Sequence, residues 1–244
     1  MSAYFDADET RGLCFTRVPV TRARQNCSVI WCAQTRAAAV IDPGGDLDQI
    51  LMVAEAENVR IAQILITHGH ADHCGAAADL AAELRAPIIG PHKGDRYWID
   101  LLAGERRRHG LKARPFEPDR WLADGDCIAL GARTLEAIHC PGHTPGHIVY
   151  FDREARLAFV GDVLFKNHIG ATQLPHGDLA TLLRSILGRL WPLGEDVTFI
   201  PGHGPTSTFG AERRASPYLS DAVLQPYYTR LMRTPAVSEQ EVEK

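Results

Sequence analysis

At 244 residues the chain can form one substantial domain or two small ones. Hydrophobic residues make up 45% and charged residues 23%, ordinary for a globular protein, and the formal net charge of −4 gives no electrostatic case for nucleic acid or an anionic membrane as partner. No stretch approaches the roughly 20 apolar residues of a membrane span, and the acidic start of the chain lacks the apolar centre of a signal peptide.

Cys14, Cys27, Cys32, Cys74, Cys127 and Cys140 are scattered, with no C-x-x-C pair. Reduced, mostly buried thiols are therefore expected over disulfides, with the cytoplasm as the compartment. The basic runs Arg106–Arg108 and Arg213–Arg214 read as solvated helix faces. Composition does not fix the oligomeric state.

In chain order, strands are predicted at Cys14–Val20, Cys27–Ala33 and Ala37–Ile41, the last closed by the turn signal Asp42-Pro43-Gly44-Gly45. Asp46–Asn58 reads as a helix with Leu47, Ile50, Leu51 and Ala54 on one face. Ile61–Thr67 is almost continuously apolar, which suits a strand covered on both sides. A helix is predicted over Cys74–Arg85 and a short strand at Pro87–Gly90. Residues 92–112 are polar with an Arg cluster and read as a helical insertion running over the surface. Strands resume at Cys127–Leu130, Thr134–Cys140, His147–Phe151 and Leu157–Val160. Asp178–Leu190 reads as a helix with Asp178 as N-cap, and Val197–Ile200 as a last buried strand. The whole is expected as a single domain over residues 1–233, with an acidic flexible tail at 234–244.

The histidines are not scattered. The strand Ile61–Thr67 runs straight into His68-Gly69-His70-Ala71-Asp72-His73. In an extended stretch residues i and i+2 point the same way, so His68 and His70 can reach one metal together. Asp72 and His73 open the next helix and can address a second metal beside it. Further on, Pro141-Gly142-His143, Gly161-Asp162 and Pro201-Gly202-His203 each follow an apolar strand. Groups just past strand ends are where open sheets collect their chemistry. Isolated core or surface histidines would suit one of these positions but not the set. The donors are imidazoles and carboxylates, which favour zinc, iron or manganese over magnesium or calcium.

These motifs, with Gln25-Asn26-Cys27, Val40–Gly45, Cys140–His147, Gly161–Phe165 and Phe199–Pro205, resemble the metallo-β-lactamase superfamily. The resemblance is to the hydroxyacylglutathione hydrolases (type II glyoxalases), in the short bacterial form without a separate helical C-terminal domain. Too few residues follow His203 for that extra domain. The resemblance implies an α/β fold, an αββα sandwich of two mixed β-sheets flanked by helices.

It also implies two divalent transition-metal ions, zinc first and iron or manganese as alternatives. One ion would be on His68, His70 and His143, the other on Asp72, His73 and His203, with Asp162 bridging them beside a hydroxide that acts as nucleophile. Asp72 and Asp162 are then the catalytic carboxylates. The implied substrate is a small-molecule thioester, S-lactoylglutathione or a related hydroxyacylglutathione, which places the chain in methylglyoxal detoxification.

Asp42 reads either as an acceptor orienting a ligand histidine or as a turn cap. His147 reads as packing or hydrogen-bonding behind the ligands. His92, His109, His139, His168 and His176 have no place in the pattern, although His168 and His176 flank the implied substrate loop. A non-catalytic scaffold on this fold would be expected to have lost ligands, and all seven are here.

Two rivals stay open on the same fold, a mono-iron persulfide dioxygenase using His68, His143 and Asp162, and a lactonase. One departure bears on them. In the relatives the loop after Asp162 carries a basic residue that helps to hold glutathione, whereas this chain has Gly170-Ala171-Thr172-Gln173. Lys166, five residues earlier, is the candidate replacement for substrate binding.

Overall fold

The computed structural model describes residues 8–109 and 113–226. The first four strands are β1 (Asp8–Thr10), β2 (Leu13–Val20), β3 (Gln25–Cys32) and β4 (Ala37–Ile41), each antiparallel to the one before. The helix α1 (Leu47–Ala56) returns the chain to β5 (Arg60–Leu65), parallel to β4. Two short helices, α2 (Ala71–Cys74) and α3 (Ala77–Leu84), lead to β6 (Ile88–Ile89), parallel to β5, and α4 (Arg96–His109) follows.

A second sheet begins with the meander β7 (Cys127–Leu130), β8 (Arg133–His139), β9 (Ile148–Asp152) and β10 (Leu157–Gly161). A small ribbon, β11 (Leu164–Phe165) with β12 (His168–Ile169), precedes α5 (Leu179–Ser185). The chain then enters β13 (Thr198–Pro201), parallel to β10, and β14 (Ser207–Thr208), followed by α6 (Phe209–Ala215). The strand orders are β1-β2-β3-β4-β5-β6 and β14-β13-β10-β9-β8-β7, so both six-stranded sheets are mixed.

Period-two alternation explains the layers. Leu13, Phe15, Ile30, Ala39 and Ile41 of the first sheet meet Leu135, Ile148, Tyr150, Phe159 and Ile200 of the second in one core between the sheets. The alternate residues, among them Val18, Val29, Trp31 and Val40, turn outward under Ile50 and Val53 of α1, Leu80 of α3, and Ile99 and Leu102 of α4. On the other side Val149, Phe151, Val160 and Phe199 lie under Leu182, Ile186, Leu190 and Phe209. Central strands covered on both faces must be apolar throughout, which is why they read as unbroken runs. The architecture is the expected αββα sandwich.

Several local expectations need correction. The strand predicted over Ile61–Thr67 spans Arg60–Leu65; the Ile66 N–H still bonds the Ile89 carbonyl, but the Thr67 N–H is taken by the Asp42 carboxylate. The helix predicted over Cys74–Arg85 is two helices, parted where the Ala76 N–H bonds the Pro43 carbonyl. Asp178 does cap α5, accepting from the Thr181 N–H at 2.7 Å, and a π-helical turn at Ile186–Leu190 continues it. The segment 92–112 is helical in its described part but is anchored rather than superficial. Asp95, Ile99 and Leu102 are buried, since the Ile99/Leu102 stripe closes over the first sheet. The tail at 234–244 lies outside the described residues. No helix among the described residues is long and apolar enough to cross a membrane. All six cysteines are free.

Candidate metal centre

Each of the seven predicted donors follows a strand end. His68 and His70 lie just after β5, Asp72 and His73 in α2, His143 after β8, Asp162 after β10 and His203 after β13. The structure brings all seven together. His70 Nδ1 lies 3.0 Å from both His68 Nε2 and His143 Nε2. Beside this trio, Asp72 Oδ2 is 3.2 Å from His203 Nε2 and 4.0 Å from His73 Nε2. Asp162 stands between the two groups. Its Oδ1 is 3.3 Å from His73 Nε2, and its Oδ2 is 3.7 Å from His143 Nε2 and 3.8 Å from His203 Nε2. Gly202 is required for this approach, because a Cβ there would collide with Asp162 Oδ1 and the His73 ring.

Behind the donors a buried relay sets which ring nitrogens carry protons. Asp42 Oδ1 accepts from the Thr67 N–H at 2.7 Å, and its Oδ2 accepts from Thr67 Oγ1 at 2.6 Å. The same Oδ2 lies 2.9 Å from His73 Nδ1, while Thr67 Oγ1 lies 3.0 Å from His68 Nδ1. With the carboxylate as final acceptor, both imidazoles carry a proton on Nδ1, which leaves both Nε2 atoms facing the cluster. Asp42, His68 and His73 form a compact trio that could itself be read as a metal site. Its Asp42 oxygens are already committed to the three donors, so it is a hydrogen-bonded support. Of the two readings of Asp42, the orienting contact to His73 is the one the geometry contains. His147 is fully buried, accepts from the Asp162 N–H through Nε2 at 3.0 Å, and stacks on His68 with centroids 4.7 Å apart.

Electrostatics agrees with a cation-binding cluster. Burial, and then the neighbouring imidazoles, hold His68 and His147 well below the ordinary histidine value, and burial with His143 lowers His70. Those rings are neutral and offer lone pairs. Burial also opposes protonation of His73, but Asp162 and Asp72 outweigh it and hold that ring well above its ordinary value. Burial works against ionisation of Asp162 too, yet His73 and His143 beside it keep its carboxyl below the usual range. Buried polar atoms normally find partners. Among the described residues His70 Nε2, His73 Nε2 and Asp162 Oδ1 have no hydrogen bond, and the last two face each other inside the cluster. Crowded lone pairs, two carboxylates and unpaired inward atoms fit a pair of transition-metal ions.

The other singled-out residues lie around this centre. Lys166 is exposed in the turn between β11 and β12. His168 packs on Tyr218, with centroids 4.9 Å apart, and His176 on Tyr97 at 4.7 Å. His92 and His139 pair with each other at 4.2 Å. Ala171 and Gln173 are exposed, and the Ala171 carbonyl accepts from His143 Nδ1 at 2.7 Å.

The sequence reading missed Asp95, a fully buried carboxylate bonded to the Gly69 and Gly146 N–H groups and to Thr144 Oγ1. Burial pushes its carboxyl up to about 6 against those three bonds. Its partners are 26 to 51 residues away, and no local pattern marks it.

Comparison with known proteins gives consistent findings. The family model described as metallo-beta-lactamase superfamily matches residues 20–203. The chain is 41% identical over 205 residues to hydroxyacylglutathione hydrolase GloC of Haemophilus influenzae, covering 83% of this chain and 96% of that one. Among solved structures, the BLEG-1 B3 metallo-beta-lactamase superposes with a TM-score of 0.77 at 33% identity, covering 84% of this chain and 99% of that one. TTHA1623, crystallised in a di-iron-bound form, gives 0.75 at 32%, covering 83% and 99%.

Proposed function

The chain belongs to the metallo-beta-lactamase superfamily and is a metallohydrolase, and we propose that its substrate is a thioester, S-lactoylglutathione or a related hydroxyacylglutathione. The resemblance to GloC carries the thioester reading. The donor set supports it, because no serine or cysteine nucleophile has to be found for acyl transfer.

In this proposal His68, His70 and His143 hold one ion, Asp72, His73 and His203 the other, and Asp162 joins them. Zinc is the first choice, and iron is the alternative that the di-iron-bound TTHA1623 suggests. When bound, the ions supply an activated water and a Lewis acid for the substrate carbonyl. The chain's own part is orientation. Asp42 and Thr67 hold the His73 and His68 protons on Nδ1, the Ala171 carbonyl orients His143 through its Nδ1, and His147 fixes the Asp162 main chain. A thiol departs as thiolate, so this chemistry requires no dedicated acid at the leaving group. We place this activity in one domain and in the cytoplasm.

The exposed Ala171 sets the test. A charge-assisted contact to a glutathione carboxylate is worth about 1.5–3 kcal/mol, or roughly ten- to a hundredfold in binding. S-lactoylglutathione is therefore expected to be hydrolysed without oxygen and with a high KM. Ala171→Arg is expected to lower KM at nearly constant kcat, since that carboxylate lies away from the reacting carbonyl. The substitution leaves the 171 carbonyl in place for His143. A β-lactam and a lactone serve as controls. Turnover of the lactone with no thioester hydrolysis by either protein would overturn the substrate proposal, as would an oxygen requirement with sulfite as product.

A further inference from the structure

One buried carboxylate takes no part in the donor set and yet lies between two of the loops that supply it. Asp95 ends the single 3-10 turn Lys93–Asp95 ahead of α4. Its Oδ2 accepts from the Gly69 N–H, between His68 and His70, at 2.8 Å, and from Thr144 Oγ1, next to His143, also at 2.8 Å. Its Oδ1 accepts from the Gly146 N–H. The His92 N–H adds a tie to the Gly146 carbonyl at 3.0 Å. Among the described residues Asp95 forms no ion pair, so three neutral donors hold a buried carboxylate. That arrangement costs desolvation which an apolar residue would avoid.

The packing at this seam is tight. A Cβ on Gly69 would lie 2.7 Å from Trp98 Cβ and 3.1 Å from the Asp95 carbonyl oxygen, and one on Gly146 would lie 2.7 Å from Asp95 Oδ1. Trp98, on the first turn of α4, stands edge-on to His70 with ring centroids 4.5 Å apart. His70 and His143 are 73 residues apart in sequence, and their facing nitrogens are 3.0 Å apart in space. Asp95 bonds both of the loops that carry them.

We propose that Asp95 is a positioning residue of the metal centre, clasping the His68–His70 loop to the His143–Gly146 loop and so setting the trio that holds one of the two ions. This rests on the two-metal reading above. Asp95 itself bonds Gly69, Thr144 and Gly146 and none of Asp72, His73 and His203, so the ion on that second group is expected to be spared.

The test is stepwise removal of zinc from the full chain by a chromogenic chelator, with Asp95→Asn, Asp95→Ala and Thr144→Val beside the parent. Asp95→Asn is expected to release one ion about tenfold more readily and the other as the parent does, at the low end of the loss typical for supporting groups. Its kcat falls at limiting zinc and is restored by excess zinc, while KM stays constant. Thr144→Val removes one of the three bonds and gives a smaller shift in the same ion. Placed in a His203→Ala background, Asp95→Asn weakens the remaining ion; placed in a His70→Ala background, it does not.

Parent-like affinity for both ions in Asp95→Asn, with only a lower Tm, would show that Asp95 serves stability alone and overturn the proposal. Equal weakening of both ions would overturn it too. Should Asp95→Ala not fold, Asp95→Asn and Thr144→Val still decide. A parent chain that takes up fewer than two ions would overturn the two-metal reading and this proposal together, an outcome distinct from the others.

Discussion

Replacing Asp42 with Asn tests the relay behind the metal centre without altering any of the seven donors. Asp42 is buried and satisfies three donors, the Thr67 N–H, Thr67 Oγ1 and His73 Nδ1. An amide has one oxygen to offer. If that oxygen faces His73, the Thr67 N–H opposes an NH2 group, and one buried unmatched donor costs about 1–3 kcal/mol. If it faces the Thr67 N–H, every donor can still be matched, provided that the relay reverses. The amide then donates to Thr67 Oγ1 and His73 Nδ1, Thr67 turns its hydroxyl to His68 Nδ1, and both imidazole protons move to Nε2. Those are the atoms that face the proposed metal ions.

The second pose avoids the unmatched donor and is the one expected. Metal-free Asp42→Asn should therefore lose only the charge-assisted bond to His73, about 1.5–3 kcal/mol, without the further cost of an unmatched donor. Both ions should bind roughly ten- to a hundredfold more weakly. Calorimetry in chelator and metal titration in the same buffer measure the two quantities. Parent-like affinity for both ions, with the loss appearing only in metal-free Tm, would refute the proton-relay argument.

Asp162→Ala should remove the group lying between both halves of the centre, so metal content falls below two per chain and hydrolysis is lost, as elemental analysis and a thiol-release assay would show. Burial raises the thiol pKa of Cys27, Cys74 and Cys140, so at pH 8 these stay protonated as well as inaccessible, and Cys127 is the one exposed cysteine. A thiol reagent should accordingly titrate one fast equivalent in the native chain and six after unfolding; several fast equivalents at pH 8 would contradict the burial.

Sequence alone determined the layers and the candidate donors. Period-two alternation with apolar residues on both strand faces, as in Val149-Tyr150 or Ala158-Phe159, requires cover on two sides, and that requirement already specifies sheets between helices. The proposed metal donors were legible because a tight loop after a strand imposes fixed local spacing, as in His68-Gly69-His70-Ala71-Asp72-His73. Tertiary structure decided what has no local period. The choice between Asp42 as turn cap and Asp42 as partner of His73 depended on a ring 31 residues away. The clasp at Asp95 depended on N–H groups of two loops that meet only when the sheets pack. The polar segment 92–112 is anchored by the Ile99/Leu102 stripe and by a buried carboxylate with three donors, and hydrogen-bond matching across loops leaves no trace in periodicity.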